Sequence, residues 1–182
     1  MQEYTFRKSI SYAFLAQGVL FLSSCITNLI LPKYLGVVAY SYWQLFVFYA
    51  NFIPLLALGL NDGIYLRYGG EKFETLNFSA ITNQFILGLL YQIVLCIVVV
   101  GFCIVTIYDV ERLCIVMCVG IYFLLFTMHN FWGYLFQTTN HTAIYSQSLL
   151  AGTIVYLLFQ TSAVLLGVYN YYFYIVFYIS VY

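Results

Sequence analysis

Residues 113–136 read LCIVMCVGIYFLLFTMHNFWGYLF, and this stretch contains no Asp, Glu, Lys or Arg. It opens a run of 70 such uncharged residues that reaches position 182. A helix needs about 20 mainly apolar residues to cross the hydrocarbon core of a membrane. The run therefore predicts two complete membrane spans and part of a third.

The rest of the chain follows the same pattern. Three further uncharged runs, 9–32, 34–61 and 75–108, are each long enough for one span. Only 7% of the residues are charged, against about 25% in soluble domains, which excludes a soluble domain. The net charge of zero provides no basic surface for nucleic acid, so we expect no nucleic-acid partner.

The sequence predicts an all-α fold, a polytopic transmembrane helix bundle with about five full spans and an incomplete sixth. We expect one transmembrane domain over residues 1–182. The predicted helices are 10–31, 37–60 with a kink at Pro54, 78–108, 113–136, 143–168 and a partial helix at 171–182.

The last predicted helix is too short to cross a membrane. Residues 171–182 (YYFYIVFYISVY) cover only about 18 Å as a helix, whereas the hydrocarbon core is about 30 Å thick. We expect the chain to be the front part of a longer protein; the alternative is a tail that lies in the membrane interface.

The positive charges predict the orientation. With the N-terminus inside the cell, the inner segments hold Arg7, Lys8, Arg67 and Lys72, and the outer segments hold only Lys33 and Arg112. An excess of Lys and Arg marks the cytoplasmic side. We therefore expect a cytoplasmic N-terminus.

No set of residues in the sequence is typical of catalysis. All acidic residues except Glu3 lie in two predicted connections between spans, and the five cysteines form no CxxC pair. We therefore predict no catalytic residues, no metal site, no cofactor and no enzymatic activity. His129 is the only ionisable group within a predicted span, and two interpretations stay open for it, a functional role or a hydrogen bond between helices.

Amide side chains form stripes on the first two predicted helices. Gln17, Ser24 and Asn28 share one helical face, and Gln44 and Asn51 share another. Because an amide that faces lipid is costly, these residues should face other helices or a hydrated cavity. Both interpretations are open: hydrogen bonds between helices, or a polar cavity that receives a hydrophilic cargo.

A polar connection, residues 61–77 (NDGIYLRYGGEKFETLN), follows the second helix. Asn61, Asp62 and Gly63 are typical of an Asx turn in which Gly63 is free to adopt positive φ. Gly69 and Gly70 predict a second turn. Arg67, at the expected membrane edge, either binds a lipid phosphate or pyrophosphate, pairs with a neighbouring acid, or sets the topology.

The pieces YWQLF (42–46), GLNDG (59–63) and YLRYGG (65–70) together resemble the N-terminal region of bacterial oligosaccharide (O-antigen and capsule) flippases. These belong to the multidrug/oligosaccharidyl-lipid/polysaccharide transporter superfamily. The resemblance implies a transporter of the cytoplasmic (inner) membrane that flips undecaprenyl-pyrophosphate-linked oligosaccharide for surface polysaccharide synthesis. It also implies alternating access between two helical lobes, of which this chain is the N-terminal one.

The resemblance further implies which partners to expect, while the candidate site residues come from the amide stripes and the polar connection. The partners are the lipid-linked oligosaccharide, membrane lipids, and a C-terminal half or a second copy. The candidate substrate or lipid-binding residues are Gln17, Asn28, Gln44, Asn51 and Arg67. Two alternatives stay open: a multidrug-type exporter of the same superfamily, or a small membrane scaffold without transport activity.

Overall fold

The computed structural model describes residues 2–181, with side chains from residue 10 onward, and every regular element in this range is helical. The predicted all-α fold is confirmed in this respect. The elements are α1 Gln2–Ala50, α2 Ile53–Leu56, α3 Asp62–Tyr68, a 3₁₀ turn Phe73–Thr75, α4 Phe78–Thr106, α5 Val110–Thr138, α6 Thr142–Leu165 and α7 Tyr171–Ser180.

Four helices are long and apolar enough to cross a membrane, so the predicted count of five full spans is not matched. They comprise Ile10–Leu56, Phe78–Thr106, Val110–Thr138 and Thr142–Leu165. The apolar α7 has only ten residues. Many large apolar side chains on these helices are exposed, among them Ile97 and Phe102 of α4, as expected of surfaces that face lipid.

The difference in the number of spans arises within α1, which bends back on itself. Gly36 interrupts the helical backbone with φ 74° and ψ 169°. The Asn28 and Gln44 side chains, 16 residues apart, lie within 3.4 Å of each other, whereas a straight helix would separate them by about 24 Å. Residues 2–35 and 37–50 are therefore two arms of a helical hairpin, with its turn where the sequence predicts a short connection.

The predicted helix 37–60 is wrong beyond residue 50. Asn51 and Phe52 form a turn, α2 is a single helical turn that begins next to Pro54, and residues 57–60 are irregular. Leu58 and Gly59 both have positive φ. Because proline lacks a backbone N–H and its ring clashes with the preceding turn, the chain breaks before Pro54 rather than kinking at it.

The polar connection also differs from its prediction. Residues 62–68 form α3, so Gly63 is helical and has no positive φ, and Asn61 makes no side-chain capping bond. Gly70, with φ 88°, provides the positive φ in the turn after Tyr68. Gly69 has an extended backbone, and a Cβ there would lie 2.6 Å from the Tyr65 carbonyl oxygen.

Helix α5 is the centre of the bundle and packs against α1, α3, α4, α6 and α7, while α1 packs mainly along α6. The main core contains a cluster of aromatic rings around Tyr178, whose ring centroid lies 5.8 Å from that of Trp43 and 5.5 Å from that of Tyr122. At the N-terminal end of α5, Glu111 accepts hydrogen bonds from Tyr171 and, at 2.6 Å, from Tyr172. These bonds fix α7 to α5.

Candidate functional site

A cavity of about 170 Å³ with a mixed polar and apolar lining lies between the two arms of α1 and helices α6 and α7. We call it the hairpin cavity. Its lining combines hydroxyl, amide and aromatic side chains with a few aliphatic ones. The lining residues are Leu20, Ser23, Ser24, Thr27, Asn28, Trp43, Val47, Thr153, Tyr156, Tyr178 and Val181.

The helical period explains why these residues meet. On the first arm, Ser23, Ser24, Thr27 and Asn28 are spaced by three and four residues and form one polar stripe. Helix α6 packs along this arm, and Thr27 donates a buried hydrogen bond of 2.8 Å to Oε1 of Gln160. This bond fixes the polar stripe of the first arm against α6.

Two of the predicted amides meet at the edge of the cavity. Gln44 Nε2 lies 3.4 Å from Asn28 Oδ1, and Asn28 Nδ2 lies 3.4 Å from Ser24 Oγ. Gln44 also donates to the hydroxyl of Tyr40. The hairpin at Gly36 thus brings Asn28 and Gln44 together, although only Asn28 lines the cavity itself.

The other three predicted site residues lie elsewhere. Gln17 is exposed on the first arm, outside the cavity lining, and Asn51 is exposed in the turn after α1. Arg67 is exposed on α3, with its guanidinium carbon 5.6 Å from the ring centroid of Tyr68. The five candidates therefore do not form one site.

The surroundings of Arg67 are held by aromatic contacts between α3 and the end of α5. Tyr65 donates a 2.9 Å hydrogen bond to Oε1 of Gln137, and its ring packs edge-on against Tyr134. Partial burial, followed by the charge interaction with Tyr134, raises the pKa of the Tyr65 hydroxyl above its usual value. Tyr65 therefore stays a neutral hydrogen-bond donor at physiological pH, and it holds α3 against α5.

The sequence-based prediction does not single out the α6 and α7 side of the cavity, formed by Thr153, Tyr156 and Tyr178. The spacing of Thr153, Tyr156 and Gln160 by three and four residues on one predicted helix is a signal for it. Without knowledge of which helix packs against α1, that stripe has no assigned partner. The helical period of one helix does not show which other helix packs against it.

The chemistry of the cavity is that of recognition by hydrogen bonds and ring contacts. Hydroxyl and amide groups both donate and accept, and the rings of Trp43, Tyr156 and Tyr178 offer apolar faces. None of the lining residues is an Asp, Glu, Lys, Arg or His. The cavity therefore fits a neutral, hydroxyl-rich group better than an ion.

No protein-family model matches the sequence, and no curated protein and no solved structure is a match for it. The fold and the site therefore rest on the chain's own residues.

Proposed function

We propose that this chain belongs to a flippase that moves undecaprenyl-pyrophosphate-linked oligosaccharide across the cytoplasmic membrane, and that it is the N-terminal lobe of that transporter. The proposal is supported by the sequence resemblance at residues 40–70 and by four helices able to cross a membrane. In this proposal the hairpin cavity contacts the sugar part of the substrate during transport.

The observation that carries the proposal is a cavity between apolar helices that is lined by uncharged polar, aromatic and aliphatic side chains. A sugar ring presents hydroxyl groups around its edge and C–H groups on its faces. Hydroxyl and amide side chains complement the edge, and the aromatic faces complement the C–H surface. Such binding needs no catalytic group, in agreement with a transporter.

The test compares two amide-to-leucine variants on the same helical arm. Both side chains are exposed, but Asn28→Leu removes an amide that lines the cavity, whereas Gln17→Leu removes an amide outside it. Each variant gene replaces the chromosomal copy, and surface polysaccharide is measured together with the amount of protein in the membrane. We expect Asn28→Leu to reduce polysaccharide about tenfold, the change for roughly 1.4 kcal/mol of lost binding, and Gln17→Leu to have no effect.

The amounts of polysaccharide and of protein in the membrane distinguish a role of Asn28 in transport from a role in hydrogen bonding between helices. Normal polysaccharide in the Asn28→Leu strain at normal protein level would remove the cavity from the transport path. Loss of the Asn28→Leu protein from the membrane would instead assign Asn28 to hydrogen bonding between helices, as its contact with Gln44 allows.

A further inference from the structure

A second cavity, of about 220 Å³, lies between the end of α1, α2, α4 and α5. We call it the lateral groove, and it shares no lining residue with the hairpin cavity. None of its lining residues is charged, and Tyr49 is the only one with a hydroxyl group. Its walls include Phe52, Ile53, Val99, Cys103, Val116 and Phe123.

The lateral groove is suited to a hydrocarbon and not to water. A buried water needs two to four polar partners, whereas apolar cavities of about 150 Å³ stay dry and bind small hydrocarbons. An unfilled apolar cavity costs free energy in proportion to its volume. Phe52 and Val99 are exposed, so the groove opens at these residues to the outside of the bundle. Because α4 is long and apolar enough to cross a membrane, the groove opens towards lipid chains.

The length and the depth of the lateral groove match one leaflet of a membrane. Its lining on α4 extends from Leu95 to Cys103, about 12 Å along the helix axis. One leaflet contributes about half of the 30 Å hydrocarbon core. On both α4 and α5 the lining residues lie in the half of the helix next to the connection between the two helices. The groove therefore has the dimensions for one acyl chain of the leaflet on that side.

An ion pair lies where the headgroup of such a lipid would be. Arg112 precedes Val116 by four residues, so the two share a face of α5, and Arg112 is about 6 Å nearer the end of the helix. Its Nε atom lies 3.2 Å from Oδ2 of Asp109, and both side chains are largely exposed. Tyr108, beside them, is also exposed, as is typical of the membrane interface.

The charges at this end of the groove complement a zwitterionic headgroup. A guanidinium group binds phosphate well, and a carboxylate binds an ammonium group. An exposed ion pair contributes little to stability, so Arg112 and Asp109 can exchange each other for a lipid at small cost. Glu111 is held towards α7 by Tyr171 and Tyr172. Two carboxylates beside one guanidinium disfavour a headgroup that carries only negative charge.

We propose that the lateral groove binds one acyl chain of a phospholipid of the phosphatidylethanolamine class. Arg112 binds the phosphate of this lipid, and Asp109 binds its ammonium group. The sequence predicts membrane lipids as partners in general, whereas the groove and the ion pair together select one headgroup. The inference does not depend on the proposed transport function, because it concerns equilibrium binding to the folded chain.

The experiment is native mass spectrometry of the purified full chain in detergent. The protein is titrated with phosphatidylethanolamine and with phosphatidylglycerol of the same acyl chains. We expect one phosphatidylethanolamine per chain, bound about tenfold more tightly than phosphatidylglycerol, the effect of one charge-assisted contact. Equal affinities would overturn the proposal. Displacement of phosphatidylethanolamine by a lower concentration of undecaprenyl phosphate would overturn it too, because the groove would then be a site for a polyprenyl tail.

A pair of neighbouring variants tests the groove itself. Val99→Trp places a large ring at the opening of the groove, whereas Val98 is exposed on α4 outside the lining. Val99→Trp should weaken phosphatidylethanolamine binding at least about tenfold, as expected when two methylene groups are displaced. Val98→Trp should bind as the wild type does, and unchanged melting temperatures show that both variants fold. Wild-type binding in Val99→Trp, or an equal loss in both variants, would overturn the proposal.

A second set of variants tests the headgroup contacts. Asp109→Asn keeps an acceptor for the capping bond to the Glu111 backbone N–H and removes the charge, so it should abolish the preference over phosphatidylglycerol. Arg112→Gln should weaken the binding of both lipids. The control is Lys33→Gln, which removes an exposed cation from the α1 hairpin and should change neither affinity. A wild-type preference in both Asp109→Asn and Arg112→Gln would show that the ion pair does not bind the headgroup, and the proposal would fail.

Discussion

At the scale of single residues, Gly133 of α5 provides the space that the Tyr145 ring of α6 occupies. A Cβ atom at this position would lie 2.3 Å from Cε2 of the Tyr145 ring, and Gly133 is buried. Gly133→Ala should therefore displace the Tyr145 ring and lower the free energy of unfolding by about 1–3 kcal/mol, the usual cost of overpacking. The melting temperature of the protein in detergent measures this loss.

Gly101→Ala is the control for this prediction. Gly101 lies within α4, is exposed, and has no atom within 4 Å of the place that a Cβ would occupy. Alanine in a helix is favoured over glycine by roughly 0.5–1 kcal/mol, so the control should melt at the same temperature or slightly higher. A similar loss in both variants would mean that contact with Tyr145 does not explain the effect of Gly133→Ala.

The amide residues show how much of the site the sequence can predict. The helical period places Gln17 and Asn28 on one face, and it predicts both of them equally as site residues. In the hairpin, position 28 pairs with position 44, so position 17 would pair near position 55, beyond the end of α1 at Ala50. Which amides meet therefore depends on the turn at Gly36 and on where the second arm ends.

At the scale of elements, the turn at Gly36 makes α1 a hairpin, and it depends on glycine. Its φ of 74° and ψ of 169° fall in a region that is essentially restricted to glycine, and another residue there costs about 1–3 kcal/mol. We expect Gly36→Ala to lower the melting temperature and to separate the two arms. Cysteines placed at positions 28 and 44, in a variant without the five native cysteines, should cross-link only when Gly36 is retained.

Gly18→Ala tests whether any glycine of α1 has this effect. Gly18 lies in the first arm, and no atom lies within 4 Å of a Cβ there. Gly18→Ala should keep the cross-link between positions 28 and 44, and it should leave the melting temperature unchanged. An intact cross-link in Gly36→Ala would show that the arms pair without the glycine turn.

The elements also show why some helix boundaries are predictable and others are not. The start of α4 at Phe78 and the end of α5 at Thr138 lie within two residues of their predictions, because polar residues bound these apolar runs. The break after Ala50 occurs within an apolar run. Hydropathy does not distinguish an apolar helix from an apolar segment of irregular backbone, and Pro54 alone does not fix where the break begins.

At the scale of the whole molecule, the proposed function requires a substrate with an anionic headgroup and a neutral sugar part. The hairpin cavity has no cationic lining residue, so it does not neutralise a pyrophosphate. Arg67 is exposed on α3, in the segment between the first hairpin and α4. In the proposed orientation this segment faces the cytoplasm, where the lipid-linked substrate would be loaded.

Arg67→Ala should therefore weaken loading without unfolding the protein, because the side chain is exposed and its guanidinium lies over the ring of Tyr68 at the protein surface. Loss of one charge-assisted contact costs about 1.5–3 kcal/mol, which predicts roughly a tenfold or greater fall in surface polysaccharide at an unchanged amount of protein in the membrane. Lys72→Ala, which removes another exposed cation further along the same segment, should have little effect. Equal losses in the two variants would indicate a general effect of positive charge on topology, and normal polysaccharide in Arg67→Ala would remove Arg67 from the binding site.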